Sequence, residues 1–173
     1  EKANLKNNVT ISLEDYRELT GQFDKIVSIE MLEAVGEPYW PAYFRTVSDR
    51  LKENGSAMIQ VITIPDEYFD YYRNGMDFIQ RYIFPGGMLI CPKKLKEHSE
   101  KAGLELVDAH MFGSSYAQTL EQWQSSFQIR WHKIEKLGFD EKFKRIWEYY
   151  LDYTAAGFRS GSIDVGQFHL RKS

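Results

Sequence analysis

Long apolar runs are missing from this 173-residue chain, and with them the stretch of roughly 18–20 residues that a membrane-spanning helix requires. Cysteine is nearly absent. The single thiol, Cys91, has no partner for an internal disulfide, which suits a reducing cytosol, so a cytoplasmic protein is expected. Charge of one sign is not in excess either: 22 basic and 25 acidic side chains leave −3, so no polyanion-attracting field is expected and nucleic acid is disfavoured as a partner. No internal repeat and no low-complexity linker divides the chain, and no metal-ligating set stands out. What the chain has is aromatic residues, at 15% within a 43% hydrophobic composition. That is enough for one domain with a real core, or for an apolar pocket, and the length is too short for two ordinary domains.

The most distinctive stretch is Phe78-Ile79-Gln80-Arg81-Tyr82-Ile83-Phe84-Pro85-Gly86-Gly87-Met88-Leu89. Two glycines after a proline force a tight turn. The aromatic residues around it either wall a site for a long apolar ligand or pack Tyr82 and Phe84 into the core. Cys91 precedes Pro92 and a basic helical run, which fits a helix N-cap before a first-turn proline better than a nucleophile.

Hydrophobic periodicity predicts strands over residues 9–13, 23–29, 57–64, 104–111 and 165–170. The second of these reads as a buried parallel strand. Helices are predicted from Glu37-Pro38 to about Leu51, stopped by Glu53-Asn54-Gly55, and over 67–82, 92–102, 119–137 and 140–155. This alternation specifies an α/β sheet with helices on both faces. Ligands of such sheets bind beyond the carboxyl ends of the strands, which nominates residues 14–17, 30–36, 62–66 and 112–116. Leu120, Trp123, Phe127, Trp131 and Ile134 share one helix face, either as core or as the wall of a lipid tunnel.

The blocks Phe23-Asp24-Lys25-Ile26-Val27-Ser28-Ile29-Glu30-Met31-Leu32-Glu33-Ala34-Val35-Gly36, Ile59-Gln60-Val61-Ile62-Thr63-Ile64, Tyr82-Ile83-Phe84-Pro85-Gly86-Gly87, Phe112-Gly113-Ser114-Ser115-Tyr116 and Ala156-Gly157-Phe158-Arg159 stand in that order. Together they resemble the cyclopropane-fatty-acyl-phospholipid synthases, the mycolic acid cyclopropane synthase family, over nearly the whole chain. The resemblance implies an α/β, Rossmann-like class I methyltransferase fold that is incomplete, with the first strands of the sheet missing. Residues 1–173 would be the C-terminal part of a single S-adenosylmethionine-dependent methyltransferase domain. The opening Glu1-Lys2-Ala3-Asn4-Leu5-Lys6-Asn7-Asn8 reads as the end of a helix and a loop, in keeping with that expectation. The glycine-rich loop and acidic ribose-binding residue of the family would lie upstream, so this piece alone is expected to be inactive. Strand edges at 9–13 and 24–29 would be left open, inviting a second polypeptide or a homodimer.

The chemistry implied is methyl transfer from S-adenosylmethionine to the cis double bond of a phospholipid acyl chain, forming a cyclopropane ring. An alkene is a poor nucleophile, so alignment matters, and the cation formed must be kept from water by dry aromatic walls. The family's base is a bound bicarbonate. By resemblance, Glu33, Tyr116 and the backbone of Ile62 would hold it, and Gln60 stands where many members have histidine. An amide donates a hydrogen bond but relays no proton, which leaves open a methyl- or methylene-branched product. The family cysteine lies upstream, and Cys91 does not match it. Asp15 and Tyr16 would pack beside adenine, and Glu30 would lie near the methionine end of the cofactor. The expected partner is phospholipid at a membrane surface, reached peripherally through Lys93, Lys94 and Lys96. A lipid-binding module without catalysis is the reading from another class.

Overall fold

The computed structural model describes residues 8–172, so the helix end expected at the start of the chain lies outside the described residues. Four strands form one mixed sheet in the order β1-β2-β4-β3: β1 (Phe23–Ile29), β2 (Leu51–Thr63), β3 (Leu104–Met111) and β4 (Asp164–Lys172). β1 runs parallel to β2, joined by a crossover, and β4 is antiparallel to both of its neighbours. The crossover holds α1 (Leu32–Val35), a 3₁₀ turn and α2 (Trp40–Arg50). Between β2 and β3 lie α3 (Asp66–Arg73), α4 (Phe78–Tyr82) and α5 (Pro92–Lys101). Between β3 and β4 lies a hairpin of α6 (Gly113–Ile134) and α7 (Glu141–Ser160). The expected α/β class stands, as a partial sheet.

Alternation along β2 builds the main core. Leu51, Ala57, Ile59 and Val61 are buried on one face against Trp40, Tyr43 and Phe44 of α2 and Leu95 of α5. A second cluster joins the α6–α7 hairpin to the end of β4 through Leu120, Leu151, Phe158 and Val165. Each buried Leu, Ile, Val or Phe among them contributes about 1.5–3 kcal/mol by leaving water.

Several expectations are corrected. Residues 9–13 are not a strand: their alternation is present, but among the described residues no ladder partner pairs with them, and Ile11 is 93% exposed. Strand β1 is not buried. Among the described residues it is an edge strand paired with β2 alone, and Val27 is 68% exposed on the face opposite α2. Helices α2 and α5 pack on one sheet face and the α6–α7 hairpin on the other, at Ile62 and Val165, and among the described residues β1 and β3 leave much of that second face open. The predicted helix at 67–82 is two helices. Asn74-Gly75 interrupts it, and Asp77 starts α4 with a capping box to Gln80. Helix α2 ends at Arg50, and Glu53-Asn54-Gly55 forms an irregularity within β2, where Asn54 adopts φ 61°. Helix α6 begins six residues before Thr119, and α7 runs to Ser160, where Gly161 takes the left-handed cap.

The Pro-Gly-Gly expectation holds as a turn. Gly87 N donates to Phe84 O at 2.9 Å, with Pro85 and Gly86 (φ 82°) at the two central positions. Tyr82 and Phe84 do not enter the core. Both stay exposed, and Phe84 stands edge-on to Tyr150 at 6.2 Å. Cys91 is the N-cap of α5, with Pro92 in the first turn.

Candidate active site

Strand β1 delivers its last residue, Ile29, to a backbone reversal at Glu30, whose φ of 50° is unusual for a residue with a side chain. The Glu30 N–H still donates to Gln60 O at 2.8 Å, so the reversal is anchored to β2. The carboxylate then gathers donors from two other elements. Gln60 Nε2 of β2 donates to Glu30 Oε1 at 2.8 Å, and the Tyr116 hydroxyl of α6 lies 2.9 Å from both carboxylate oxygens. Behind Gln60, Gln167 Nε2 of β4 donates to Gln60 Oε1 at 3.1 Å. Three separated segments thus meet on one carboxylate, and a fourth braces Gln60 from behind.

Glu33 lies one turn further along, on α1. Its Oε1 accepts from Ile62 N at 2.7 Å, while Oε2 is buried with no partner. Burial pushes the carboxyl up to about 7, a rise that the Ile62 N–H opposes and the neighbouring Glu30 charge adds to. The Glu33 carbonyl accepts from Met88 N at 2.9 Å, which ties the Pro-Gly-Gly loop to the site. Burial, then the hydrogen bond to Glu30, drives the Tyr116 hydroxyl well above its ordinary value, so it stays protonated and donates. Burial also raises Tyr150, and the Glu30 charge adds to the effect. Phe158, 5.1 Å from the Tyr116 ring, and Tyr150 continue the aromatic lining toward Phe84.

Tyr116 is placed by the start of its helix. Gly113 N and Val165 N both donate to Asp164 Oδ1, at 2.9 and 2.8 Å, pinning the first turn of α6 to β4. A Cβ at Gly113 would overlap that carboxylate and press on Phe158. Residues 112–116, expected as a strand-end loop, are therefore the first turn of this helix.

Beside Glu30, on the other side of Met31, a concavity of about 430 Å³ is lined by Tyr16, Arg17, Met31, Ala34, Val35 and Tyr39. Tyr16 also packs on Tyr43 at 5.9 Å. Flat aromatic and small aliphatic walls at the carboxyl end of β1 fit an adenine ring and the methylene groups of a methionyl chain, so Tyr16 and Met31 would help to hold S-adenosylmethionine. Asp15 does not face the concavity as a free acid: its carboxylate accepts from Arg17 N, Nε and Nη2 at 2.9, 2.9 and 2.6 Å.

The structure thus brings Glu30, Glu33, Gln60, Ile62 and Tyr116 into one cluster, with Tyr16 and Asp15 in a neighbouring one. Glu30, expected near the methionine end of the cofactor, stands at the centre of the polar cluster and directly precedes Met31 of the concavity. Gln167 escapes sequence reasoning, although the alternation of Val165-Gly166-Gln167-Phe168 marks a polar residue facing away from the core.

Bicarbonate fits this arrangement poorly. The single hydrogens of Tyr116 OH and Ile62 N are both taken by the protein's own carboxylates, and Gln60 has turned its amide to Glu30. Lys94 and Lys96 pair with Glu97 (2.8 Å) and Glu100 (3.8 Å) of their own helix. Among the described residues no group of His, Cys, Asp and Glu is arranged to hold a metal, and no helix is long and apolar enough to cross a membrane.

The family model described as mycolic acid cyclopropane synthetase matches residues 1–168. The chain belongs to that family. Among its relatives, the tuberculostearic acid methyltransferase UfaA1 of Mycobacterium tuberculosis is 43% identical over 97% of the chain. The cyclopropane-fatty-acyl-phospholipid synthase of Escherichia coli is 38% identical over 92% of it. Each alignment covers 40% of the relative, so the chain spans well under half the length of these mycolic acid cyclopropane synthetase relatives. The crystal structure of mycolic acid cyclopropane synthase CmaA1 complexed with SAH and CTAB superposes with a TM-score of 0.86 at 27% identity, covering 98% of this chain and 63% of that one. The Rossmann-like methyltransferase fold expected from sequence is the fold observed, with four strands of the sheet present.

Proposed function

We propose that the protein to which this chain belongs transfers the methyl group of S-adenosylmethionine to a cis double bond in a phospholipid acyl chain. The observation that carries this reading is the convergence of Glu30, Gln60 and Tyr116 beside the Tyr16–Met31 concavity, in a chain of this family. The cofactor, when bound, supplies an electrophilic methyl group. The residues of this chain do the rest: Tyr16 and Tyr39 flank the cofactor, and Tyr116, Tyr150, Phe158 and Phe84 form an aromatic lining that limits water and stabilises positive charge on the alkyl chain. Gln60 and Tyr116 hold a carboxylate in place by hydrogen bonds that need no reorganisation.

The finer reading is ring closure to a cyclopropane. A second product class, a methyl or methylene branch, is favoured by the amide at Gln60 and by the 43% identity to a tuberculostearic acid methyltransferase. The edge of β1 that pairs with no strand among the described residues supports pairing with further protein, whether the rest of the same domain or a second copy. We place the enzyme at the cytoplasmic membrane surface as a peripheral protein, where its lipid substrate is.

The test incubates the full-length protein with methyl-labelled S-adenosylmethionine and vesicles of monounsaturated phospholipid, followed by mass spectrometry of the released acyl chains. Label in the acyl chains supports the reading, and the product masses and fragmentation separate ring from branch. Vesicle binding without label transfer would favour a lipid-binding module and overturn it.

A further inference from the structure

We propose that the Glu30 carboxylate is the catalytic base of this protein, occupying the place in which a bound anion would otherwise sit. The inference rests on the functional reading above and deepens it. Three observations carry it. Glu30 receives the hydrogen bonds of both Gln60 and Tyr116, the two side-chain donors otherwise available to an anion. Its backbone holds φ 50°, an uncommon conformation for a residue with a side chain, and such conformations persist where the surroundings enforce them, often at functional sites. The second carboxyl, Glu33, lies close enough for the Glu30 charge to raise it, and its Oε1 takes the Ile62 N–H that an additional anion would otherwise use.

The step balances within the site. The alkene π pair forms a bond to the methyl carbon of the sulfonium cofactor as the carbon–sulfur bond breaks, its pair remaining on sulfur. Positive charge is left on the adjacent alkyl carbon. A Glu30 oxygen accepts a proton from the added carbon, and the carbon–hydrogen pair closes a three-membered ring onto the cationic carbon; where a 1,2-hydride shift has first moved the charge to the carbon that bears the methyl group, the same proton loss gives a methylene double bond. Protons next to an alkyl cation are acidic enough for a carboxylate that already accepts hydrogen bonds. Position rather than basicity then selects the product. Oε2 is the better placed oxygen, since Oε1 accepts from Gln60 as well as Tyr116 whereas Oε2 meets Tyr116 alone. Tyr116 and Gln60 act as positioning residues, and Gln167 holds Gln60.

The experiment uses the full-length protein, S-adenosylmethionine and vesicles of monounsaturated phospholipid, in buffer purged of carbon dioxide and in the same buffer with bicarbonate restored. The wild type is expected to turn over equally in both, within about twofold. Glu30→Gln should lower turnover about 10²–10⁴-fold in either buffer, because the amide fills the site without accepting a proton. Glu30→Gly suits the left-handed backbone and frees Gln60 and Tyr116. It should be as impaired in purged buffer and recover at least tenfold with bicarbonate. Binding of S-adenosylhomocysteine, measured by calorimetry, should be unchanged in both variants, which separates a lost base from a lost fold. A wild type that is active only with bicarbonate overturns the assignment while leaving the functional reading intact, and so does Glu30→Gln at wild-type turnover. A wild type that transfers no methyl group in either buffer overturns the functional reading and this inference with it.

Discussion

Replacing Glu33 with glutamine should remove a pH dependence of stability that the buried carboxyl imposes. Glu33 sits near 7 in the folded protein and, once unfolded, returns to about 4.3. Between those values the folded state binds the extra proton, so unfolding free energy falls as pH rises through the interval and is level above it. A displacement of that size amounts to about 3 kcal/mol lost between pH 4.5 and pH 8. His98 works in the opposite direction. Burial, with Lys101 and Lys94 nearby, lowers its imidazole, so stability rises with pH up to its ordinary value, and that contribution is common to wild type and variant. In Glu33→Gln the side-chain carbonyl can still accept from Ile62 N, but the new amide hydrogens gain no acceptor, a cost of about 1–3 kcal/mol that is the same at every pH. The slope, not the offset, is therefore diagnostic. Urea unfolding followed by tryptophan fluorescence at intervals from pH 4.5 to 8 should show the wild type losing about 3 kcal/mol relative to Glu33→Gln across the range. Parallel curves for the two proteins would refute the assignment of the shift to Glu33.

Gly113→Ala should destabilise the protein by about 1–3 kcal/mol, since the added methyl overlaps the Asp164 carboxylate that holds the start of α6; an unchanged urea midpoint would contradict the close approach. Tyr16→Ala should weaken calorimetric binding of S-adenosylhomocysteine by the full-length protein at least about tenfold, near 1.4 kcal/mol, and equal affinity would remove Tyr16 from the cofactor wall. Cys91, whose thiol burial pushes up to about 11, should not react with an aromatic disulfide reagent at pH 8 until urea exposes it; fast labelling of the native protein would show that α5 opens at its N-terminus.

The positions of the four strands and the α/β class were legible because β2 and β4 alternate cleanly and because Pro92 and Gly103 mark helix ends. What misled was tertiary context. The apolar run of β1 reads as a buried strand, yet burial needs a neighbour on each side, and among the described residues β2 is the one strand it pairs with. Residues 9–13 have strand chemistry without a ladder to join. The residues of the polar cluster were named from family resemblance, but their wiring was not readable. A carboxylate beside a methionine in sequence gives no hint that a tyrosine 86 positions away will donate to it. Gln167 was hidden for the same reason: strand alternation gives its face, not its partner.

The reversal at Glu30 also bears on how such a site can change over generations. Glycine is the residue that adopts this conformation without strain, and glycine and glutamate codons differ by a single base. One nucleotide substitution at this position would relax the chain and empty the pocket of its fixed acid, while Gln60, Gln167 and Tyr116 kept their stations. A lineage could thus pass between a built-in proton acceptor and a borrowed one without any intermediate sequence that fails to fold.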